Sequence, residues 1–183
     1  MGRNCRMIMI GLLGIAALLR ITACGEAPEA AAVTNEAVMM EETKVNMANP
    51  FRKCDSLEEA MEAEDFEMSA PESVAGYTEV SYSVMDSSAM IQIRYEQDRD
   101  HYIVVRKAKT TEAIDGDYNV YEKDMTETID GCEVRLRGNG TGISLATWRD
   151  GDFAYSVGAY GDNTDEGSGL SAEDMRKIVA EIK

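Results

Sequence analysis

The sequence predicts an α+β domain: a curved antiparallel sheet of about seven or eight meandering strands, with a short N-terminal helix and a C-terminal amphipathic helix packed on it. Three observations predict it. Over residues 77–160 apolar and polar residues alternate at period two, as in strands with one covered face. Asp115-Gly116, Asp130-Gly131 and Asp150-Gly151 punctuate that stretch as turns, since glycine adopts positive φ freely. Helical periodicity appears only at the two ends, and strands segregated from helices argue for α+β.

In chain order, folded structure is expected from Phe51, because Asn49-Pro50 pushes the preceding backbone away from helix. Ser56-Leu57-Glu58-Glu59 matches a capping box, and Leu57, Ala60 and Met61 share one face of a helix ending near Glu64. Val80, Tyr82 and Val84 alternate in a first strand; Ile91, Ile93 and Tyr95 alternate in a second. Asp86-Ser87-Ser88 turns between them. Ile103, Val104 and Val105 make the next strand apolar on both faces, which suits a central position. Further strands are expected over 118–121, 125–129, 132–137, 144–148 and 153–160. Gly138-Asn139-Gly140-Thr141-Gly142 supplies a tight reversal between strands; no helix follows it, so it lacks the helix N-terminus a phosphate cradle needs. Ser171 caps a final helix in which Met175, Ile178, Val179 and Ile182 recur on one face.

The first residues carry an address. Arg3 and Arg6 precede a thirteen-residue uncharged apolar run over 7–19, ended by Arg20. A membrane-spanning helix needs about 20 apolar residues, so this run reads as the apolar part of a secretory signal. Ile21-Thr22-Ala23-Cys24 resembles a lipobox, which implies cleavage before Cys24 and a diacylglycerol thioether on it. Two acyl chains anchor a protein stably, whereas one is marginal. The expected division is a signal peptide over 1–23, lipidated Cys24 with a tether over 24–48, and one domain over 49–183. The location is the extracytoplasmic face of a membrane.

Charge excludes one class of partner. The whole chain carries a formal net charge of −16; loss of residues 1–23 removes three arginines and no acid, taking it to −19. Such a chain repels phosphate polymers, so nucleic-acid binding is excluded. The remaining 160 residues suit a single domain that needs no disulfide staple. Cys54 and Cys132 either bridge in an oxidising compartment or remain two small apolar residues, and Cys132 shares parity with core-facing Val134 and Leu136.

No catalytic constellation stands out. His101 is the only histidine and sits in a polar turn, so His-based catalysis or zinc binding has little to build on. Asp115 with Asp117, and Asp162, Asp165 and Glu166, lack the spacing of an EF-hand loop and read as turn formers. No metal or cofactor is expected. Tyr77, Tyr82, Tyr95, Tyr102, Tyr118, Tyr121, Tyr155, Tyr160 and Trp148 concentrate in the strand region. Sheet propensity accounts for that, but aromatics are also favoured at interfaces. Trp148, Tyr155 and Tyr160 are the candidate binding surface.

Asn49-Pro50-Phe51, Asp55-Ser56-Leu57-Glu58-Glu59-Ala60, Ile103-Val104-Val105-Arg106-Lys107-Ala108 and Ile114-Asp115-Gly116-Asp117-Tyr118-Asn119 are similar to an uncharacterised extracytoplasmic domain family. Leu136-Arg137-Gly138-Asn139-Gly140, Ala146-Thr147-Trp148-Arg149-Asp150-Gly151, Tyr155-Ser156 and Gly169-Leu170-Ser171 continue the resemblance. That family occurs on bacterial lipoproteins and on some membrane-anchored, anti-sigma-factor-like proteins. The resemblance implies a small β-rich domain and brings no catalytic residues. The absence of a predicted transmembrane or cytoplasmic segment departs from the anti-sigma relatives and speaks against direct signalling. The expectation is a non-enzymatic surface lipoprotein that binds an envelope protein or small ligand, with the membrane as partner through Cys24. The alternatives are a carboxylate-based envelope hydrolase and a passive envelope component.

Overall fold

The computed structural model describes residues 49–161 and 169–183. The signal segment, Cys24, the tether and the acidic residues Asp162, Asp165 and Glu166 lie outside the described residues. The elements run β1 (Arg52–Cys54), α1 (Leu57–Glu64), β2 (Glu79–Met85), β3 (Met90–Glu96), β4 (Tyr102–Ala108), β5 (Lys123–Ile129), β6 (Cys132–Gly138), β7 (Leu145–Asp150), β8 (Phe153–Tyr160) and α2 (Ala172–Glu181). The strands form one eight-stranded antiparallel sheet in the order β1-β2-β3-β4-β8-β7-β6-β5. The α+β class with helices at the two ends is as the periodicity predicts.

The meander comes in two halves. β1 to β4 run in sequence, the 109–122 segment then crosses to the far edge, and β5 to β8 run back until β8 pairs with β4. β4 is thereby central, which is why Ile103, Val104 and Val105 are all buried.

Alternation sorts the side chains onto two faces. Cross-strand partners Val84 and Ile91, Ile93 and Val105, Val105 and Val157, and Leu136 and Ala146 share the core face. Both helices supply the facing layer: Ala60 from α1, and Met175, Ile178 and Val179 from α2, join that core. A buried aliphatic side chain of this size stabilises by roughly 1.5–3 kcal/mol. Packing therefore holds the ten-residue α2, which is too short to be stable alone. Ser56 Oγ accepts from the Glu59 amide at 3.2 Å, and Ser171 Oγ from the Asp174 amide at 3.1 Å, so both expected caps form. The Glu59 carboxylate reaches back one residue further than a capping box requires, accepting from the Asp55 amide at 2.6 Å. The chain end is tied by a reciprocal backbone pair between Ser69 and Lys183.

Two strand expectations are corrected. Residues 118–121 are not a strand, although their side chains alternate. Asp115 Oδ1 accepts from the Asp117 amide and Asp117 Oδ1 from the Asn119 amide, so side chains take the donors a ladder would use. β1 was not expected: three residues are too few to show alternation, and its pairing with β2 defines it.

Candidate binding face

The second face of the sheet is polar by parity. Arg94 on β3, Arg106 on β4, Arg135 and Arg137 on β6 and Arg149 on β7 all take positions on it. The 109–122 loop lies across this face and is fastened by those arginines. The Arg106 guanidinium donates to the carbonyls of Ile114 (3.0 Å) and Asp115 (2.7 Å), while its Nε donates to Gln92 Oε1 at 2.9 Å. Arg137 pairs with the Asp115 carboxylate at 2.7 Å, both side chains mostly shielded. Arg149 donates to the Thr111 carbonyl. Ile114 packs into a small apolar patch with Met90, Ala108 and Ala154. Burial lowers the pKa of the Arg106 guanidinium, although arginine keeps its charge.

This pinned loop divides the face into two concavities. On one side runs a groove of about 600 Å³ whose wall includes Glu112, Glu133, Arg135, Arg137, Arg149 and Asp150. Its arginines already hold partners: besides Arg137 and Arg149, Arg135 grips Asp124 with two bonds of 2.8 and 2.5 Å. On the other side is a pocket of about 330 Å³ formed by Tyr102, Asn119, Tyr121, Asn139 and Tyr160, with Asp100 at its wall. Tyr102 and Tyr160 stack with ring centroids 4.9 Å apart, and the Arg94 guanidinium lies 3.5 Å over the Tyr102 ring. The Tyr121 hydroxyl donates to Asp117. Burial, then that neighbouring carboxylate, push the Tyr121 phenol up, and burial raises Tyr160. Both rings stay neutral across the physiological range.

Trp148 and Tyr155 line part of the larger groove but offer it little surface. They are 7% and 4% exposed, directly opposite each other on β7 and β8, with parallel rings 5.0 Å apart in the core. Tyr160 is an odd number of residues from Tyr155 and so projects from the opposite face, where it lines the smaller pocket. The three expected contact residues therefore cannot form one surface. Tyr102, Asn119, Tyr121 and Asn139 were not singled out as site residues. The recurrence of arginine at the polar parity of four strands was the signal that would have marked this face.

The remaining sequence candidates have structural employment. Cys54 and Cys132 are free thiols, on strands that five others separate in the sheet. His101 Nδ1 lies 2.9 Å from Asp98, whose carboxylate also accepts from the amides of Asp100 and His101; these bonds shape the β3–β4 turn and hold Asp98 below the usual carboxylate range. Asp115 and Asp117 serve the loop's own turns. Glu64 is raised chiefly by burial and then by nearby Asp86, but neither residue lines the groove or the pocket.

No family model, curated protein or solved structure matches the chain.

Proposed function

We propose that this chain is an extracytoplasmic lipoprotein, anchored through acyl chains on Cys24, whose folded domain is a non-enzymatic module that binds an envelope protein through the 109–122 loop. The anchoring rests on the order of Arg3, Arg6, the 7–19 apolar run and Ile21-Thr22-Ala23-Cys24. The resemblance to domains carried by bacterial lipoproteins is in keeping with it.

One observation carries the binding reading. Tyr118 and Val120 are 97% and 93% exposed, on a loop that Arg106 and Arg137 fasten to the sheet at Ile114 and Asp115. Single exposed apolar residues are ordinary. Two large ones, two residues apart on a loop held by ion-assisted bonds, are a prepaid contact: little ordering entropy remains to be lost on binding.

Cross-linking of the lipidated protein in its native membrane, followed by mass spectrometry, tests this. One abundant cross-linked protein is expected, with its yield cut by Tyr118→Ala and Val120→Ser. The absence of any reproducible partner would overturn the protein-binding reading. Incorporation of a clickable palmitate analogue should vanish in Cys24→Ser; labelling that persists would overturn the anchor.

A further inference from the structure

Resting on the reading that this face binds, we infer that the tyrosine-lined pocket beside the loop is a carbohydrate site that takes a neutral sugar. It belongs to the same loop that presents Tyr118 and Val120, since Asn119, Val120 and Tyr121 form part of its wall.

A neutral sugar offers two surfaces to a protein: patches of C–H groups and a rim of hydroxyls that both donate and accept. The pocket answers both. Tyr121 and Tyr160 supply aromatic carbon with a polar tip, and Tyr102, stacked on Tyr160 and covered by the Arg94 guanidinium, backs the Tyr160 ring. Asn119 and Asn139 supply amides, each with donors and an acceptor. Asn139 is held in one orientation, because its Oδ1 accepts from the Glu122 amide at 2.9 Å. Its NH₂ group therefore keeps two donors for which the described residues provide no partner. Among the described residues the walls carry one carboxylate, Asp100, which can accept from vicinal hydroxyls. The Tyr121 and Tyr160 phenols remain protonated, so they add no negative charge.

Charge sets the class of ligand. One carboxylate and no cation among the described wall residues, within a strongly acidic chain, disfavour a phosphate or a uronic acid; the nearby Arg94 guanidinium is engaged over the Tyr102 ring. The neighbouring groove differs, since its wall carries Arg135, Arg137 and Arg149 beside Glu112, Asp115, Glu133 and Asp150. A cavity of about 330 Å³ is at the small end of ligand pockets, which span roughly 300–1,000 Å³, and suits about one or two pyranose rings.

The backbone is also shaped for the tyrosine stack. A Cβ on Gly158 would stand 2.8 Å from the Tyr160 ring and hydroxyl, so the missing side chain at 158 lets that ring lie down against β8. Tyr102 and Tyr160 are cross-strand partners on β4 and β8, which fixes their ring separation. The platform is thus preorganised by the central strand pair of the sheet.

The test is a titration of the full chain in detergent micelles with a panel of neutral saccharides: glucose, galactose, mannose, N-acetylglucosamine and their short oligomers. Amide shifts at Asn119, Tyr121 and Asn139 are the readout. Saturable shifts are expected with at least one sugar, and Asn119→Ala should weaken its affinity about tenfold, the loss of one or two hydrogen bonds. Tyr160→Phe keeps the ring and fold and should weaken it less. Arg149→Ala, in the neighbouring groove, should leave it unchanged. Saturable binding that Asn119→Ala does not weaken, or shifts confined to the arginine groove, would overturn the site. No sugar binding while the cross-linked partner persists would overturn the sugar site and leave the binding module standing. No sugar and no partner would remove both.

Discussion

On the core face of the sheet, Val84, Ile91, Ile93, Val105, Leu136 and Val157 are buried in one apolar cluster with side chains of the two helices. On the opposite face the strands present Arg94, Arg106, Arg135, Arg137 and Arg149, and among the described residues the cover is the 109–122 loop, which has no regular structure. The core face is closed by apolar burial, which is non-directional and tolerant of detail. The polar face is closed by hydrogen bonds at fixed distances, in which carbonyls and a carboxylate meet the Arg106 and Arg137 guanidinium groups. A surface closed in the second way can keep concavities lined by polar groups. The groove and the tyrosine pocket are both of that kind, and the proposed contacts lie on this face.

The sharpest way to break this division is Trp148→Ala. If Trp148 were a contact residue, its loss would weaken binding and spare stability. Stacked on Tyr155 in the core, it should instead cost roughly 3–5 kcal/mol of unfolding free energy, the range for emptying a large aromatic site. Urea unfolding decides between them; a change below about 1 kcal/mol would return Trp148 to the surface.

Next in size is Asp115→Ala, which removes the carboxylate that fastens the loop to Arg137. Breaking a fully buried ion pair costs roughly 3–5 kcal/mol; this pair keeps some solvent, so about 2 kcal/mol is expected. Hydrogen exchange should speed up over 109–122 and hardly change in α2. Equal acceleration on both faces would show that the loop and the core open as one unit.

Alkaline pH compares the faces through their tyrosines. Tyr95 is buried on the core face and donates to the Pro71 carbonyl at 2.5 Å; Tyr121 on the polar face donates to Asp117. Burial is the first cause of the raised pKa in both. An unfolded tyrosine loses its proton near pH 10 while these two keep theirs, so stability is whole below about pH 10 and falls as pH rises beyond it. Lys107 works in the opposite sense. It is 6% exposed, donates to the Glu67 carbonyl at 2.5 Å, and burial lowers its pKa. Its contribution therefore rises with pH as the folded form sheds its proton first. Two phenols outweigh one amine, so a net loss above about pH 10 is expected in thermal melts, and Tyr95→Phe should reduce its slope.

Much of the fold was legible because period two is a strong signal where one face is buried. Val80, Tyr82 and Val84, or Ile91, Ile93 and Tyr95, could hardly be read otherwise, and the two serine caps located the helices. The strand order was less legible. Nothing local to β4 or β8 announces that they pair across fifty residues of chain, which only the assembled sheet decides. Residues 118–121 misled because Asx turns and strands can share one alternation. The site was the least legible part. Aromatic composition pointed to Trp148 and Tyr155, but parity sends them inward, while the residues of the pocket come from β4, β8, the 109–122 loop and the β6–β7 turn. Only the crossover between the two meanders brings those segments together.

The smallest stability effect is expected where the binding effect is large. Tyr118 and Val120 touch almost nothing in the folded chain, so the double substitution Tyr118→Ala with Val120→Ser should change unfolding free energy by no more than about 0.5 kcal/mol. The loop should keep its slow hydrogen exchange, because the bonds from Arg106 and Arg137 go to Ile114 and Asp115 and are untouched. The yield of cross-linked partner should nevertheless drop. A loss of stability would mean that these side chains pack within the protein itself and that the loop is only a cover. Unchanged stability with unchanged cross-linking would move the contact to the arginine groove, where Arg149→Ala is the substitution that separates the two.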